Sequence, residues 1–188
     1  MLFFDEYTAR KGYAHSSTNS LIFNLKKNPT RRGTEEWKYK LALLRQLPVS
    51  FAHNLKPEPL SNFTFVPAPP SKSPRHPEYD DRNRQIIHRI APNVDARPLL
   101  ETVVERYPAH QSDRCPAPEE LEAGIRICEE SLEDPASIEQ IILIDDLLVT
   151  GATFVACRRK LRARFPRANV FGLFIARRVP ERSLSSGL

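Results

Sequence analysis

The chain has 188 residues and a mass of 21.5 kDa, with 40% hydrophobic and 27% charged residues. That balance belongs to a folded domain rather than a disordered or fibrous chain, and residues 1–188 suit one compact domain. No apolar run approaches the roughly 20 residues that cross a bilayer. The opening MLFFDEYTARKGY puts its apolar residues ahead of its first base, the reverse of a secretory leader, so a cytoplasmic location without a membrane partner is the expectation. Cys115, Cys128 and Cys157 are too few and too scattered for a disulfide framework or a paired-cysteine zinc site.

The net charge of +5 is unevenly spread. Residues 154–188 hold nine Lys/Arg and one acid, whereas the preceding residues hold nineteen bases and twenty-two acids. A basic end on a mildly acidic body can attract phosphate-bearing partners; the same residues also suit the solvated face of a helix.

In chain order, Ser20–Lys26 is apolar enough for burial, but periodicity does not separate strand from short helix. Residues 34–47 are expected to be helical, with Thr34 as cap and Trp37, Leu41, Leu44 and Leu47 on a core-facing stripe. Residues 57–77 carry seven prolines. Within them Phe63–Val66 reads as a strand ending at Pro67, followed by an irregular basic loop. Residues 83–91 are read as a brief helix ending before Pro92. From Pro118, Leu121, Ile125, Cys128 and Leu132 form one apolar helical stripe, which gives Cys128 a core role.

Residues 140–144 read as a strand covered on both faces, as in a parallel sheet. A helix from about Ala152 places Phe154, Cys157, Leu161 and Phe165 on one face and Arg158, Arg159, Lys160, Arg162 and Arg164 on the other. Pro166 stops it, and 169–175 supplies the next strand. This βαβ unit implies an α/β fold with a mostly parallel central sheet flanked by helices.

In such sheets ligands collect beyond the carboxyl ends of the strands. Asp145 and Asp146 stand at such an end, just before the turn Thr150-Gly151-Ala152-Thr153. Adjacent side chains on a strand alternate faces, so one acid can reach a ligand while the other faces the loop or a metal ion. Gly151 permits a tight turn with exposed amides, the threonines add hydroxyls, and the helix terminus favours an anion. A phosphorylated sugar bound with Mg²⁺ would use both the cradle and the acids. The plainer alternative is a strand end followed by a capped helix.

Other readings fail on particulars. A phosphate-binding P-loop needs a lysine before its Ser/Thr, and Gly151 stands alone within residues 125–171, against the three glycines of a dinucleotide fingerprint. The five histidines, His15, His53, His76, His88 and His110, show no close metal spacing. His76 is the best placed of them, beside the Pro-rich loop.

The run Ile142-Leu143-Ile144-Asp145-Asp146-Leu147-Leu148-Val149-Thr150-Gly151-Ala152-Thr153 closely resembles the phosphoribosyl-pyrophosphate signature of type I phosphoribosyltransferases. More loosely, Phe65-Val66-Pro67-Ala68-Pro69 resembles the strand and pyrophosphate loop of the competence-associated branch of that family. Asp81-Arg82-Asn83-Arg84-Gln85 lies where that branch has a mobile Arg- and Asn-containing loop, and Leu21-Ile22-Phe23-Asn24-Leu25-Lys26 is similar to its early hydrophobic segment ending in lysine.

The resemblance implies a type I phosphoribosyltransferase-like fold, with residues 1–60 forming a hood or accessory segment. It also implies transfer of a phosphoribosyl group to a nitrogen nucleophile with release of pyrophosphate. Asp145 and Asp146 would engage the ribose hydroxyls, directly or through Mg²⁺, and Val149, Thr150, Gly151, Ala152 and Thr153 would wrap the 5′-phosphate. Ala68, Pro69, Pro70 and Ser71 would lie near the pyrophosphate, with Lys72, Arg75 and Arg82 as neutralisers and Arg82 in the catalytic set. Two departures stand out: Val149 replaces a usual threonine, and Arg82–Gln85 only approximates the Arg-Gly-Phe-Asn-Gln run of that branch. The cysteine-rich metal module often joined to that branch is not expected. The partners implied are phosphoribosyl pyrophosphate or a related phosphosugar, with a homodimer left open. Two alternatives are a non-catalytic phosphosugar or nucleotide sensor on the same scaffold, and a nucleic-acid-associated protein using the basic C-terminal helix.

Overall fold

The computed structural model describes residues 1–55, 59–104, 116–132 and 137–179. The chain opens with strand β1 (Leu2–Thr8) and helices α1 (Ser17–Leu25) and α2 (Trp37–Asn54). There follow β2 (Thr64–Pro67), α3 (Arg82–Ile87), β3 (Asp95–Ala96), β4 (Leu100–Thr102), α4 (Pro118–Ala123) and β5 (Ile125–Ile127). The last unit is β6 (Gln140–Leu148), α5 (Ala152–Arg164) and β7 (Asn169–Val179).

Five strands form one sheet in the order β1-β7-β6-β2-β3, with every neighbouring pair parallel, while β4 and β5 form a separate antiparallel pair. Alternation along β6 splits the core in two. Ile141 and Leu143 join Phe154, Cys157 and Leu161 of α5 and Leu121 of α4. Ile142 and Ile144 join Ile22 and Leu25 of α1, Leu44 and Phe51 of α2, and Ile86 and Ile87 of α3. The sheet is thus covered on both faces, which is why residues 141–144 carry no polar alternation. The chain has an α/β fold with a parallel central sheet flanked by helices, as its sequence implies.

The connections fix where a ligand can sit. From β2 the chain passes through α3 to β3 on one side, and from β6 it passes through α5 to β7 on the other. The two paths leave in opposite directions from adjacent strands, which makes the carboxyl ends of β2 and β6 the topological switch point where α/β sheets open a crevice.

Of the two forms open to Ser20–Lys26 the chain takes the helix: residues 20–25 belong to α1, Lys26 is its C-cap, and Ser16 starts it, its hydroxyl oxygen accepting the Asn19 N–H at 3.0 Å. Several other local expectations need correction. The α2 helix begins at Trp37 without a Thr34 cap and runs through Pro48 to Asn54. Proline disfavours that continuation, but Pro48 and Phe51 are buried and their packing holds it. Its buried stripe is Lys40, Leu44, Leu47 and Phe51; Leu41 is exposed, and Trp37 is half-buried beneath Arg32 and Lys40 rather than in the core.

The helix from Pro118 stops after one and a half turns at Gly124, and Ile125–Ile127 pair as a strand with Leu100–Thr102. The β-branched isoleucines favour the strand. Leu121 and Ile125 still reach the core, whereas Cys128 is half-buried just beyond β5. Strand β6 continues past the two acids to Leu148, so they sit within the strand. Strand β1 is an element the sequence reading does not contain; its pairing with β7 extends the sheet.

Candidate functional site

Pairing between β2 and β6 ends at Pro67 opposite Ile144, and Ala68 N donates to Ile144 O at 2.8 Å. On its other edge β6 stays paired with β7 as far as Leu148. From Asp145 onward one edge of β6 is therefore released, and a cleft of about 280 Å³ opens there. Its walls are Pro69–Lys72 after β2, Lys26 at the end of α1, Arg82 and Asn83 of α3, and residues 145–154.

The two acids have different environments. Asp146 is 3% exposed and points to the face of α1 and α3. Its Oδ2 accepts from Arg82 Nε at 2.7 Å and a terminal Arg82 nitrogen at 2.5 Å, and its Oδ1 lies 3.1 Å from Lys26 Nζ. Burial opposes its charge, but Arg82 and Lys26 outweigh that penalty and hold its carboxyl well below the usual carboxylate range. Asp145 is only partly exposed at the cleft floor. Its Oδ1 accepts the Asp146 N–H at 2.8 Å and Asn83 Nδ2 at 3.3 Å. The packed protein around it, and then the adjacent Asp146 charge, push its carboxyl up to about 6.

A chain of alternating charges runs inward from the cleft wall, which Asp80 lines beside Arg82. Arg82 also reaches Asp80 Oδ2 at 2.6 Å, and the same oxygen accepts from Lys40 Nζ at 2.5 Å. Asn83 Oδ1 is a buried acceptor without a hydrogen-bond partner among the described residues.

The opposite wall is the Gly151 turn. Gly151 has φ 81° and ψ 0°, a left-handed conformation that favours glycine, and it stands at the N-terminus of the thirteen-residue α5. Thr150 Oγ1 accepts the Ala152 N–H at 3.3 Å. Ala152 and Thr153, the first residues of α5, line the cleft, at the positive end of the helix dipole. Gly172 lets α5 sit this close to the sheet: a Cβ there would lie 2.7 Å from the Phe154 ring. The β2 loop is tied down by the Thr102 hydroxyl, which donates to Pro70 O at 2.5 Å.

The structure brings together Asp145, Asp146, Arg82, Val149, Thr150, Gly151, Ala152 and Thr153 with Pro69, Pro70, Ser71 and Lys72. Ala68 is buried in the core behind the loop. Arg75 is exposed and outside the cleft walls, and His76 accepts the Glu78 N–H through Nδ1 at 3.0 Å, also outside them. Lys40, Asp80 and Thr102 belong to no motif in the sequence, and Lys26 stands there only as the end of an apolar segment. A lysine in register with Leu44, Leu47 and Phe51 was the signal for Lys40.

On the basic face of α5, Arg159 bridges to Glu119 and Glu122, and Arg164 to Glu129. Part of that face is thereby neutralised within the chain. Among the described residues no helix is long and apolar enough to cross a membrane, and no group of three or more His, Cys, Asp or Glu side chains forms a metal cage. Cys115 and His110 lie outside the described residues. Compared with known proteins, no family model matches this sequence and no curated protein matches it.

Proposed function

We propose that the chain is a phosphoribosyltransferase-like protein that binds phosphoribosyl pyrophosphate in this cleft and transfers the phosphoribosyl group to a nitrogen nucleophile. The observation that carries the reading is the placing of a left-handed glycine turn, a partly exposed carboxylate and two buried-end cations around one crevice at the switch point of the sheet. The Gly151 turn suits a phosphate monoester, Asp145 suits vicinal hydroxyls, and Arg82 and Lys26 suit a diphosphate. The turn and Asp145 come from residues 142–153, the run that resembles the type I phosphoribosyltransferase signature.

The geometry favours a division between the acids. Asp145 is the ligand-facing carboxylate, while Asp146, already engaged by Arg82 and Lys26, anchors the two cations. A hard divalent ion is commonly held by one or two carboxylates plus substrate phosphates. Asp145 fits that role for a Mg²⁺ arriving with its phosphate ligands, and the ion would supply charge neutralisation on the departing pyrophosphate. In the reaction the bond from C1 to the pyrophosphate oxygen breaks and a C1–nitrogen bond forms, with the nitrogen's proton leaving alongside the pyrophosphate. The protein contributes position and charge: the Gly151 turn holds one end of the sugar, Asp145 orients the ring, and Arg82 and Lys26 receive the leaving group.

A second reading, a non-catalytic phosphosugar sensor, is favoured by one observation: Asp146 has its oxygens occupied by cations. Incubating the protein with phosphoribosyl pyrophosphate, Mg²⁺ and a panel of nitrogen bases separates the two. Release of pyrophosphate dependent on a base supports transfer; tight binding without release supports the sensor.

A further inference from the structure

Lys40 is 1% exposed, yet it lies on a helix stripe otherwise built from Leu44, Leu47, Pro48 and Phe51. Taking an ammonium out of water costs several kcal/mol unless partners compensate. Its partners are specific. Nζ donates to Asp80 Oδ2 at 2.5 Å and to the backbone carbonyl of Lys27 at 2.9 Å. Asp80 in turn holds Arg82 at 2.6 Å, and Lys27 directly follows Lys26, whose Nζ lies 3.1 Å from Asp146. One buried ammonium therefore ties together the two segments that deliver cations to the cleft, the end of α1 and the start of α3. Burial pushes the Lys40 pKa down and Asp80 opposes that shift.

Lys26 and Arg82 reach different oxygens of one carboxylate, so they approach the cleft side by side from separate elements. We propose that Lys40 is a positioning residue that fixes the placement of Lys26 and Arg82 relative to each other, so that the pair can receive a diphosphate anion. The proposal rests on the reading of the cleft as a phosphosugar site. Lys40 does not touch the ligand; it acts through Asp80 and the Lys27 carbonyl. A single phosphate, by contrast, has its natural seat at the Gly151 turn, which Lys40 does not contact.

The test is calorimetric titration of the full chain with inorganic pyrophosphate and, separately, inorganic phosphate. Two variants are compared with the wild type: Lys40→Met, after which Asp80 still has Arg82 as its partner, and Lys40→Gln, which removes the charge and leaves Asp80 in place. Both variants are expected to bind pyrophosphate about tenfold more weakly while phosphate affinity stays within about twofold. If Lys40→Met fails to fold, Lys40→Gln carries the comparison. Unchanged pyrophosphate affinity in a folded variant, or equal weakening of both anions, overturns the positioning role while leaving the phosphosugar reading intact. A wild type that binds neither anion overturns the phosphosugar reading and this proposal with it.

Discussion

Arg82 donates from Nε and from a terminal guanidinium nitrogen to the same atom, Oδ2 of Asp146, at 2.7 and 2.5 Å. Asp146 is buried while the Arg82 side chain is 20% exposed, so removing the guanidinium leaves a buried carboxylate compensated, among the described residues, by Lys26. Arg82→Met is expected to destabilise the fold by about 2–4 kcal/mol near neutral pH, measured by urea unfolding. Because the folded-state pKa of Asp146 is depressed, its stabilising contribution is present above the ordinary carboxylate pKa and is lost as pH falls below it. The difference between wild type and Arg82→Met should therefore shrink below about pH 4.

Asp145 titrates the other way. Its carboxyl is raised to about 6, so between about pH 4 and 6 the native state holds a proton that the unfolded chain has released, and stability falls as pH rises through that window. Asp145→Asn removes the cost of the charge. It is expected to raise stability by about 1–3 kcal/mol at pH 7.5, with the gain fading toward pH 4. Paired thermal melts at the two pH values check this.

The close packing of α5 on β7 sets the height of the Gly151 turn above the cleft. Gly172→Ala would place a methyl 2.7 Å from the Phe154 ring and 2.9 Å from that of Phe174. The variant is expected to lose about 1–3 kcal/mol of stability and to bind inorganic phosphate more weakly than wild type at a temperature where both are folded. Phosphate affinity unchanged in the folded variant would show that the turn does not depend on this contact.

Thr102 secures the loop after β2 from a strand outside the main sheet. Thr102→Val keeps the shape and removes the donor to Pro70 O, leaving a carbonyl without its partner. A loss of about 1–2 kcal/mol is expected, together with faster hydrogen exchange in residues 68–72 than in β6. An unchanged exchange rate would mean that the prolines alone hold the loop.

The parts of this molecule governed by local pattern were legible in its sequence. Residues 140–144, the stripe Phe154-Cys157-Leu161-Phe165 and the strand after Pro166 announced the βαβ unit, and Asp145, Asp146 and Gly151 announced the cleft. What escaped was set by tertiary contact. Lys40 counts as a solvated base until Asp80, 40 residues away, is folded against it. Pro48 reads as a helix end until the burial of Phe51 outweighs the missing donor. The stripe from Leu121 to Leu132 fits a helix by spacing, but Gly124 and the pairing of Ile125–Ile127 with β4 turn it into strand. Arg75 shares the basic loop of Lys72, and only the path of the chain shows that one lines the cleft and the other does not.

The account depends on the cleft gripping a phosphorylated pentose between the Gly151 turn and Asp145. Its most direct test is calorimetric titration of the full chain with phosphoribosyl pyrophosphate in the presence of Mg²⁺, repeated on Asp145→Asn and Gly151→Val. Saturable one-to-one binding by the wild type, weakened about tenfold or more in each folded variant, is the expected result. Absence of binding by the wild type, or equal affinity in all three proteins, would contradict it.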